Sequence, residues 1–509
     1  MVTNLTKPKT NYRKMKKHFY LTATLMSVVA LFSLASCQKE EGTKVLFSGS
    51  IENATVDSKT SINIANNTGT VKWESGDQVA IYDQVASYTL EAIPTSDNTT
   101  ADFTGDATPS GGPYYAIYPA DIATGSASIT LPAEQNCTDG THFTAPMYAY
   151  STTSKLMFKN LCGVLQLNLP AMNKTIASIE LTTPNNNICG DFAIDYNDGD
   201  PRLNCTANGG HKLTLNCGEQ GMDCSQGLTF YIYLPADDYT EMTFAIEATD
   251  RSCCLKHFED ADNPITIVRN TYYPTTLSNL SFLPPAQMVN GAAFSRVMMA
   301  RPDMINLVFE YKSTRPASTA NGLLSSGATP IYYTTEGTTM IVYTPAAWMD
   351  ANPDCSYMFF GTNVEHIDFG TGFNTANVTD MSYMFSYCQN LETLNLSNLN
   401  LQSVTTMKGM FNHCGLQTLN LSGATTSSSL INATSMFSYC ENLSGTLDLS
   451  GIELSTIINH WNKVGIFSNT ATNGQLTVLC TLNTYNDLIV HSSDYGLAGN
   501  IHITLQVVE

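Results

Sequence analysis

Cys388, Cys414 and Cys440 recur at intervals of 26 residues, and sulfur at a fixed interval invites a metal reading. Zinc sites usually take paired ligands about two to four positions apart, whereas here each repeat offers a single sulfur, so a ladder of buried thiols is expected instead. Cys253-Cys254-Leu255-Lys256-His257 groups metal-capable side chains but lacks a second pair. Asp195-Tyr196-Asn197-Asp198-Gly199-Asp200 partly matches a calcium loop. Its glycine comes one place early and Thr206 stands where the bidentate Glu is required, so a β-turn is expected. Gly370-Thr371-Gly372 is a glycine pair suited to a tight turn, with no phosphate loop around it. Neither a Gly-x-Ser-x-Gly elbow nor a His-Glu-x-x-His helix occurs, and nothing nominates a pair of carboxylates for glycoside hydrolysis. The expectation is a protein that is not an enzyme, with no cofactor and no metal.

The elements that must position any site are clearest in the C-terminal half. Met358-Phe359, Met384-Phe385, Met410-Phe411 and Met436-Phe437 follow one another at 26-residue spacing. Leu394/Leu396, Leu419/Leu421 and Leu447/Leu449 keep the same register, with Ile367/Phe369 as an earlier equivalent. Each unit reads as one short strand plus a tight return, too small to fold alone, so its Leu, Met, Phe and Cys side chains must bury against the next unit. Strand alternation then exposes a polar column of His366, Asp368, Thr393, Asn395, Thr418, Asn420, Thr446 and Asp448, the candidate binding residues. Asn377-Val378-Thr379-Asp380-Met381-Ser382-Tyr383-Met384-Phe385 and its repeats resemble the BspA-type leucine-rich repeats of bacterial surface proteins, over about residues 290 to 480. Thr329-Pro330-Ile331-Tyr332 and Asn352-Pro353-Asp354-Cys355-Ser356-Tyr357-Met358-Phe359 are similar to the lead-in that caps such arrays. Toward the end Ser427 to Leu430 add residues and Gly465-Ile466-Phe467 replaces the Met-Phe pair, so the last rung is expected to be a cap.

From Val45 to about Phe282 short alternating runs are broken by Asn, Asp, Gly and Pro, the pattern of antiparallel sandwiches. Trp73 anchors a strand face, Glu74 to Asp77 turn the chain, and Val79 and Ile81 re-enter the core. Four phrases in this stretch resemble the fimbrillin-like family of pilus and surface lipoproteins. They are Lys59-Thr60-Ser61, Val71-Lys72-Trp73-Glu74-Ser75-Gly76-Asp77, Tyr114-Tyr115-Ala116-Ile117-Tyr118-Pro119, and Phe158-Lys159-Asn160-Leu161-Cys162-Gly163-Val164-Leu165. The resemblance implies two transthyretin-like β-sandwiches in tandem, with a junction near Thr153. Cys205, Cys217 and Cys224 are close enough in sequence for a bridge, and their pairing stays open. Leu283-Pro284-Pro285-Ala286 interrupts both helix and strand and marks a domain boundary.

At 509 residues the chain has room for three or four domains. The net charge is -20, and the first 36 residues hold six Lys/Arg and no acid. The remainder repels phosphate backbones, so no nucleic-acid partner is expected. The basic stretch runs into an apolar segment from Phe19 to Leu34 that ends in Leu34-Ala35-Ser36-Cys37. That order resembles a bacterial lipoprotein signal and lipobox, which implies cleavage before Cys37, lipidation of its thiol and attachment to the outer membrane. Gln38-Lys39-Glu40-Glu41 is similar to the short charged signal that sends some lipoproteins to the outer leaflet.

The expected fold is mainly β: two tandem transthyretin-like antiparallel β-sandwiches followed by a leucine-rich-repeat solenoid. The expected divisions are a signal peptide (1–36), a tether (37–44), sandwiches at 45–153 and 154–283, a linker and repeat cap (284–345), and the repeat domain with its C-terminal cap (346–509). The expected role is a non-catalytic, surface-exposed lipoprotein adhesin that binds a host or bacterial surface protein or glycan. The alternative is an accessory, anchor or tip subunit of a fimbrillin-type pilus, with fimbrial subunits as partners.

Overall fold

The computed structural model describes residues 47–52, 72–96, 98–137, 145–196, 199–206, 208–426 and 430–508. The basic leader, Cys37, the tether and Lys59-Thr60-Ser61 lie outside the described residues. The fold is mainly β, and the two α-helices among the described residues, Gly291–Met299 and Leu482–Val490, have nine residues each. No helix among the described residues is long and apolar enough to cross a membrane.

Alternation builds the first unit: in Thr100–Thr104, for example, Ala101 and Phe103 are buried while their neighbours are partly exposed. Seven strands form one sheet in the order Phe47–Ile51, Lys155–Asn160, Met147–Ser151, Tyr114–Tyr118, Gln78–Tyr82, Ser87–Pro94 and Thr100–Thr104. The last strand pairs antiparallel with the first, and the sheet closes into a barrel. This differs from the expected antiparallel sandwich, because Phe47–Ile51 also pairs parallel with Lys155–Asn160. Closure leaves the sheet without free edges, which a sequence pattern does not reveal. Fully buried Trp73 fills the interior, edge-on to Phe103, Phe158 and Tyr118 at 5.1, 5.1 and 5.2 Å. Glycine is needed at position 49, since any Cβ there would strike the Phe103 and Phe158 rings.

The expected junction at Thr153 is also corrected. Lys155–Asn160 belongs to the first barrel, while Ser128–Leu131 and Glu134–Asn136 pair with Gly190–Asp195 and Lys212–Asn216 of the second unit. The two units therefore exchange segments across any single cut. In the second unit a sheet ordered Leu228–Pro235, Cys162–Leu169, Tyr272–Thr276 shares a core with a larger sheet built on Cys253–Glu259, Glu241–Ala248, Thr175–Thr182 and Lys212–Asn216. Half-buried Arg269 ties the units together: its guanidinium donates to Glu52 Oε1 and Oε2 at 2.6 and 3.1 Å, to Asp200 at 2.7 Å and to the Asn160 carbonyl at 3.1 Å.

Beyond Leu283, which still exchanges backbone hydrogen bonds with Cys253, the chain enters a stack of parallel rungs. Asn306–Glu310 lies between Thr339–Tyr343 and His366–Asp368, parallel to both. One continuous apolar core runs from Ala286 to Tyr495, so most of the expected linker and repeat cap at 284–345 packs against the repeats. At the returns, Phe359 N–H donates to Met384 O, Phe385 to Met410, Phe411 to Met436, Phe437 to Ile466 and Phe467 to Tyr495, all at 2.8–2.9 Å. The phenyl rings follow the same ladder: Phe359, Phe385, Phe411, Phe437 and Phe467 stack with successive centroid separations of 5.1, 5.6, 5.4 and 5.6 Å. Ile466-Phe467 thus continues the ladder where a cap was expected, because Ile fills the Met position and the ring stays in register. Strands Leu476–Cys480 and Ile503–Val507 carry the parallel pairing further.

A second ladder runs outside the first. Tyr387, His413 and Tyr439 stack at 4.7 and 4.2 Å, each with φ near +60° (61°, 54° and 60°). Glycine takes the equivalent place at Gly361, as the left-handed turn would ordinarily demand.

The inner ladder predicts the largest single loss of stability. Phe411→Ala is expected to lower the unfolding free energy by about 3–5 kcal/mol, since a cavity opens between two rings that cannot close on each other. Urea titration followed by far-UV circular dichroism checks this, and a loss below about 1 kcal/mol would mean the ring stack does not carry the array.

Candidate functional site

The polar column falls on exposed backbone of short strands whose central residue points inward. Leu394, Leu419 and Leu447 are buried, while Thr393, Asn395, Thr418, Asn420, Thr446, His366 and Asp368 are exposed and Asp448 is half-buried. Thr393–Asn395 and Thr418–Asn420 pair in register, Thr393 beside Thr418 and Asn395 beside Asn420. Ser444 N–H reaches Gln417 O at 3.0 Å and brings the next rung alongside. Thr393, Asn395, Thr418, Asn420, Thr446 and Asp448 line one shallow groove of about 420 Å³. His366 and Asp368 extend the column toward Asn306 and Val308, with which they share register.

The two rows of this column do different work. Asp368 Oδ1 accepts from Gly370 N at 2.8 Å, Asn395 Oδ1 from Ser397 N at 3.1 Å, Asn420 Oδ1 from Ser422 N at 3.0 Å, and Asp448 Oδ1 from Ser450 N at 2.9 Å. Each Asx residue therefore folds its own turn at the end of a strand, which explains the recurrence of Asn or Asp there. The hydroxyls of Thr393, Thr418 and Thr446 have no side-chain partner among the described residues and face solvent. Sequence reasoning missed three members of the same face. Asn306 adjoins His366, and Thr477 lies in register with Thr446 and Thr504. None of these rungs carries a Met-Phe phrase, and only the alternation in Leu476-Thr477-Val478 could have signalled one of them.

The other chemistry-bearing residues make local contacts. Cys388 Sγ donates to Phe359 O at 2.9 Å, Cys414 to Cys388 O at 3.3 Å and Cys440 to Phe411 O at 3.0 Å, one sulfur per rung. Burial pushes the thiol pKa of Cys388 up to about 11 and those of Cys440 and Cys355 up to about 12, so thiolate is scarce at neutral pH. Cys253 and Cys254 are buried on opposite faces of Cys253–Glu259, where they join different apolar clusters, and His257 Nδ1 sits 2.9 Å from the Thr243 hydroxyl. Gly370, at φ 57°, packs against Tyr311, whose hydroxyl donates to Phe369 O at 2.6 Å. In the acidic loop Asn197 and Asp198 lie outside the described residues, and Asp200 is engaged by Lys159 at 2.8 Å and by Arg269. Cys217 has Cys137 as its thiol neighbour, at 3.7 Å, rather than Cys205 or Cys224.

Residues 353–473 match a family model described as a Mycoplasma protein of unknown function, DUF285. No curated protein matches the chain. Among solved structures it is similar to a candidate cell adhesion protein from Bacteroides ovatus, at 11% identity, covering 47% of this chain and 95% of that one with a TM-score of 0.31. It is also similar to the C-terminally truncated tip fimbrial protein Mfa3 from Porphyromonas gingivalis, at 12% identity over 40% of this chain and 92% of that one, TM-score 0.23. A leucine-rich repeat protein from Bacteroides thetaiotaomicron matches at 9% identity over 69% of this chain and 38% of that one, TM-score 0.14.

The buried thiols generate a direct prediction. In the folded chain at neutral pH, DTNB should label the partly exposed Cys137 and Cys205 and leave Cys355, Cys388, Cys414 and Cys440 untouched until denaturant is added. Rapid modification of any of these four in the absence of denaturant, located by mass spectrometry, would contradict the ladder role.

Proposed function

We propose that this protein is a cell-surface lipoprotein, held in the outer membrane by lipid on Cys37, that acts without catalysis as an adhesin or binding protein. On this reading the N-terminal β units are fimbrillin-like sandwich derivatives that serve as a stalk. The parallel rungs are a BspA-type leucine-rich-repeat array that presents the binding face. The observation that carries the proposal is the threonine row: unpartnered hydroxyls repeat along an exposed, groove-forming face whose backbone is fixed by the core behind it. Repeated hydroxyls at strand spacing, about 4.8 Å apart, suit the hydrogen-bonding groups of an extended glycan or polypeptide. Their chemistry is neutral, in keeping with recognition by hydrogen bonding rather than by charge. Covalent lipid supplies the attachment that an acidic body could not obtain from anionic headgroups.

The two rows make the proposal testable without confusing binding and folding. Replacing Thr393, Thr418 and Thr446 together by Ala should reduce binding of the purified chain to its partner on host-matrix and glycan arrays by about tenfold or more, because each lost hydrogen bond is worth about 0.5–1.5 kcal/mol. The same variant should unfold at the wild-type denaturant concentration. Asn420→Ala should instead cost about 1 kcal/mol of stability through its turn. Binding that survives the triple change would place recognition elsewhere, and arrays silent for the wild type would leave no support for the adhesin reading.

The anchoring half is tested separately on intact cells. Cys37→Ala should move the protein out of the membrane fraction, while externally added protease should digest the wild type. Protection of the wild type from protease would place the repeat face inside the envelope.

A further inference from the structure

The far end of the stack brings together three ligand-capable side chains that lie well apart in sequence. His460 opens the 3-10 helix His460–Lys463, whose first turn is held by Asn459 Oδ1 accepting from Trp461 N at 3.2 Å. His491 caps the helix Leu482–Val490, and Asp494 follows in the next turn, its N–H donating to His491 O at 2.9 Å. The Asp494 carbonyl accepts from Gly465 N at 2.7 Å, which fixes this turn to the rung that carries Phe467. One ligand atom from each of His460, His491 and Asp494 lies within 4.8 Å of the other two.

Asp494 Oδ2 is the hub. It sits 3.3 Å from His460 Nδ1 and 3.9 Å from His491 Nδ1. Ligands on neighbouring corners of a zinc tetrahedron, with bonds of about 2.0–2.2 Å, are roughly 3.3–3.5 Å apart, so small rotations of these half-exposed side chains bring all three onto one ion. A second carboxylate lies behind the cluster. Asp487 Oδ1 faces His491 Nε2 at 3.9 Å, and its Oδ2 accepts from Lys463 Nζ and the Tyr495 hydroxyl, both at 2.8 Å. Asp487 thus stands on the Nε2 side of His491 and Asp494 on its Nδ1 side, so that a metal held through Nδ1 would leave the Nε2 proton facing Asp487. Asp487 also pairs with the ammonium of Lys463, which is 4% exposed.

We propose that His460, His491 and Asp494 bind one Zn²⁺ ion at the C-terminal end of the repeat stack, with Asp487 as the orienting carboxylate behind His491. Two imidazoles and one carboxylate favour zinc over the hard, oxygen-seeking Mg²⁺ and Ca²⁺. The fourth position faces solvent, where water or a donor atom of a bound macromolecule completes the tetrahedron. The ion would join the 3-10 helix of one rung to the helix of the next, a cross-link between segments 31 residues apart in sequence.

The test is isothermal titration of the untagged full chain with zinc chloride, with magnesium chloride as comparison. It covers the wild type, His460→Ala, His491→Ala, the near-isosteric Asp494→Asn, and His257→Gln in the second β unit. One equivalent of zinc should bind the wild type and His257→Gln. Affinity should fall by about tenfold or more in each of the three site variants, and magnesium should give no heat. Trp461, 72% exposed with its ring 4.7 Å from that of His460, supplies a local readout. Ni²⁺ should quench its emission in the wild type and not in His460→Ala, while buried Trp73 reports that the variant is folded. Zinc binding that is absent from the wild type, or that survives both His substitutions and Asp494→Asn, overturns the site and leaves the cluster as an ion pair only.

Discussion

No rung of the C-terminal stack can bury its own apolar side chains, and the architecture there follows from that constraint. A strand of three residues and a tight return expose Leu, Met, Phe and Cys on the inner side, and only an adjacent copy can cover them. The stacked phenyl rings and the backbone bonds from each Phe N–H to the residue one rung on are two expressions of the same register. Because the inner face is fixed at every rung, the outer face is fixed as well. The threonine hydroxyls inherit their spacing from the core behind them, and the Asx residues beside them are consumed in closing the turns.

The N-terminal units satisfy the same need in another way. The first sheet closes on itself, and the second unit places two sheets around a shared interior. They are bound to one another by exchanged segments and by Arg269, whose contacts to Glu52, Asp200 and Asn160 concentrate charge-assisted hydrogen bonds at a half-buried seam. Because the chain passes between the units more than once, several covalent connections rather than one hold them side by side.

The sequence was most legible where physics repeats. The 26-residue period gave the core ladders, and strand alternation gave the exposed column, because both depend on local geometry alone. Closure of the first sheet was not legible: Phe47–Ile51 meets Lys155–Asn160 across more than a hundred residues, and no local pattern encodes that partner. Strands 128–131 and 134–136 pair beyond Thr153 with the second unit, and no local pattern encodes those partners either. Rungs such as Asn306–Glu310 and Leu476–Cys480 escaped because they share the geometry of the repeats without the Met-Phe phrase. The double role of the column also stayed hidden: Thr418 and Asn420 look alike as exposed polar residues, and only the turn bond to Ser422 separates them. His460, His491 and Asp494 come from two rungs, so their convergence is a tertiary fact.

The ladder from Phe437 to Phe467 spans 30 residues instead of 26, yet the rings remain 5.6 Å apart and nearly parallel. Extra chain is therefore absorbed in the return without disturbing the register of the core. Selection can lengthen or decorate individual returns while the inner ladder stays constant, and it can add or delete whole rungs at the cost of one interface each. Such a stack behaves as an adjustable ruler: each added rung extends the exposed face by about 4.8 Å, so the length of that face can change only in discrete steps.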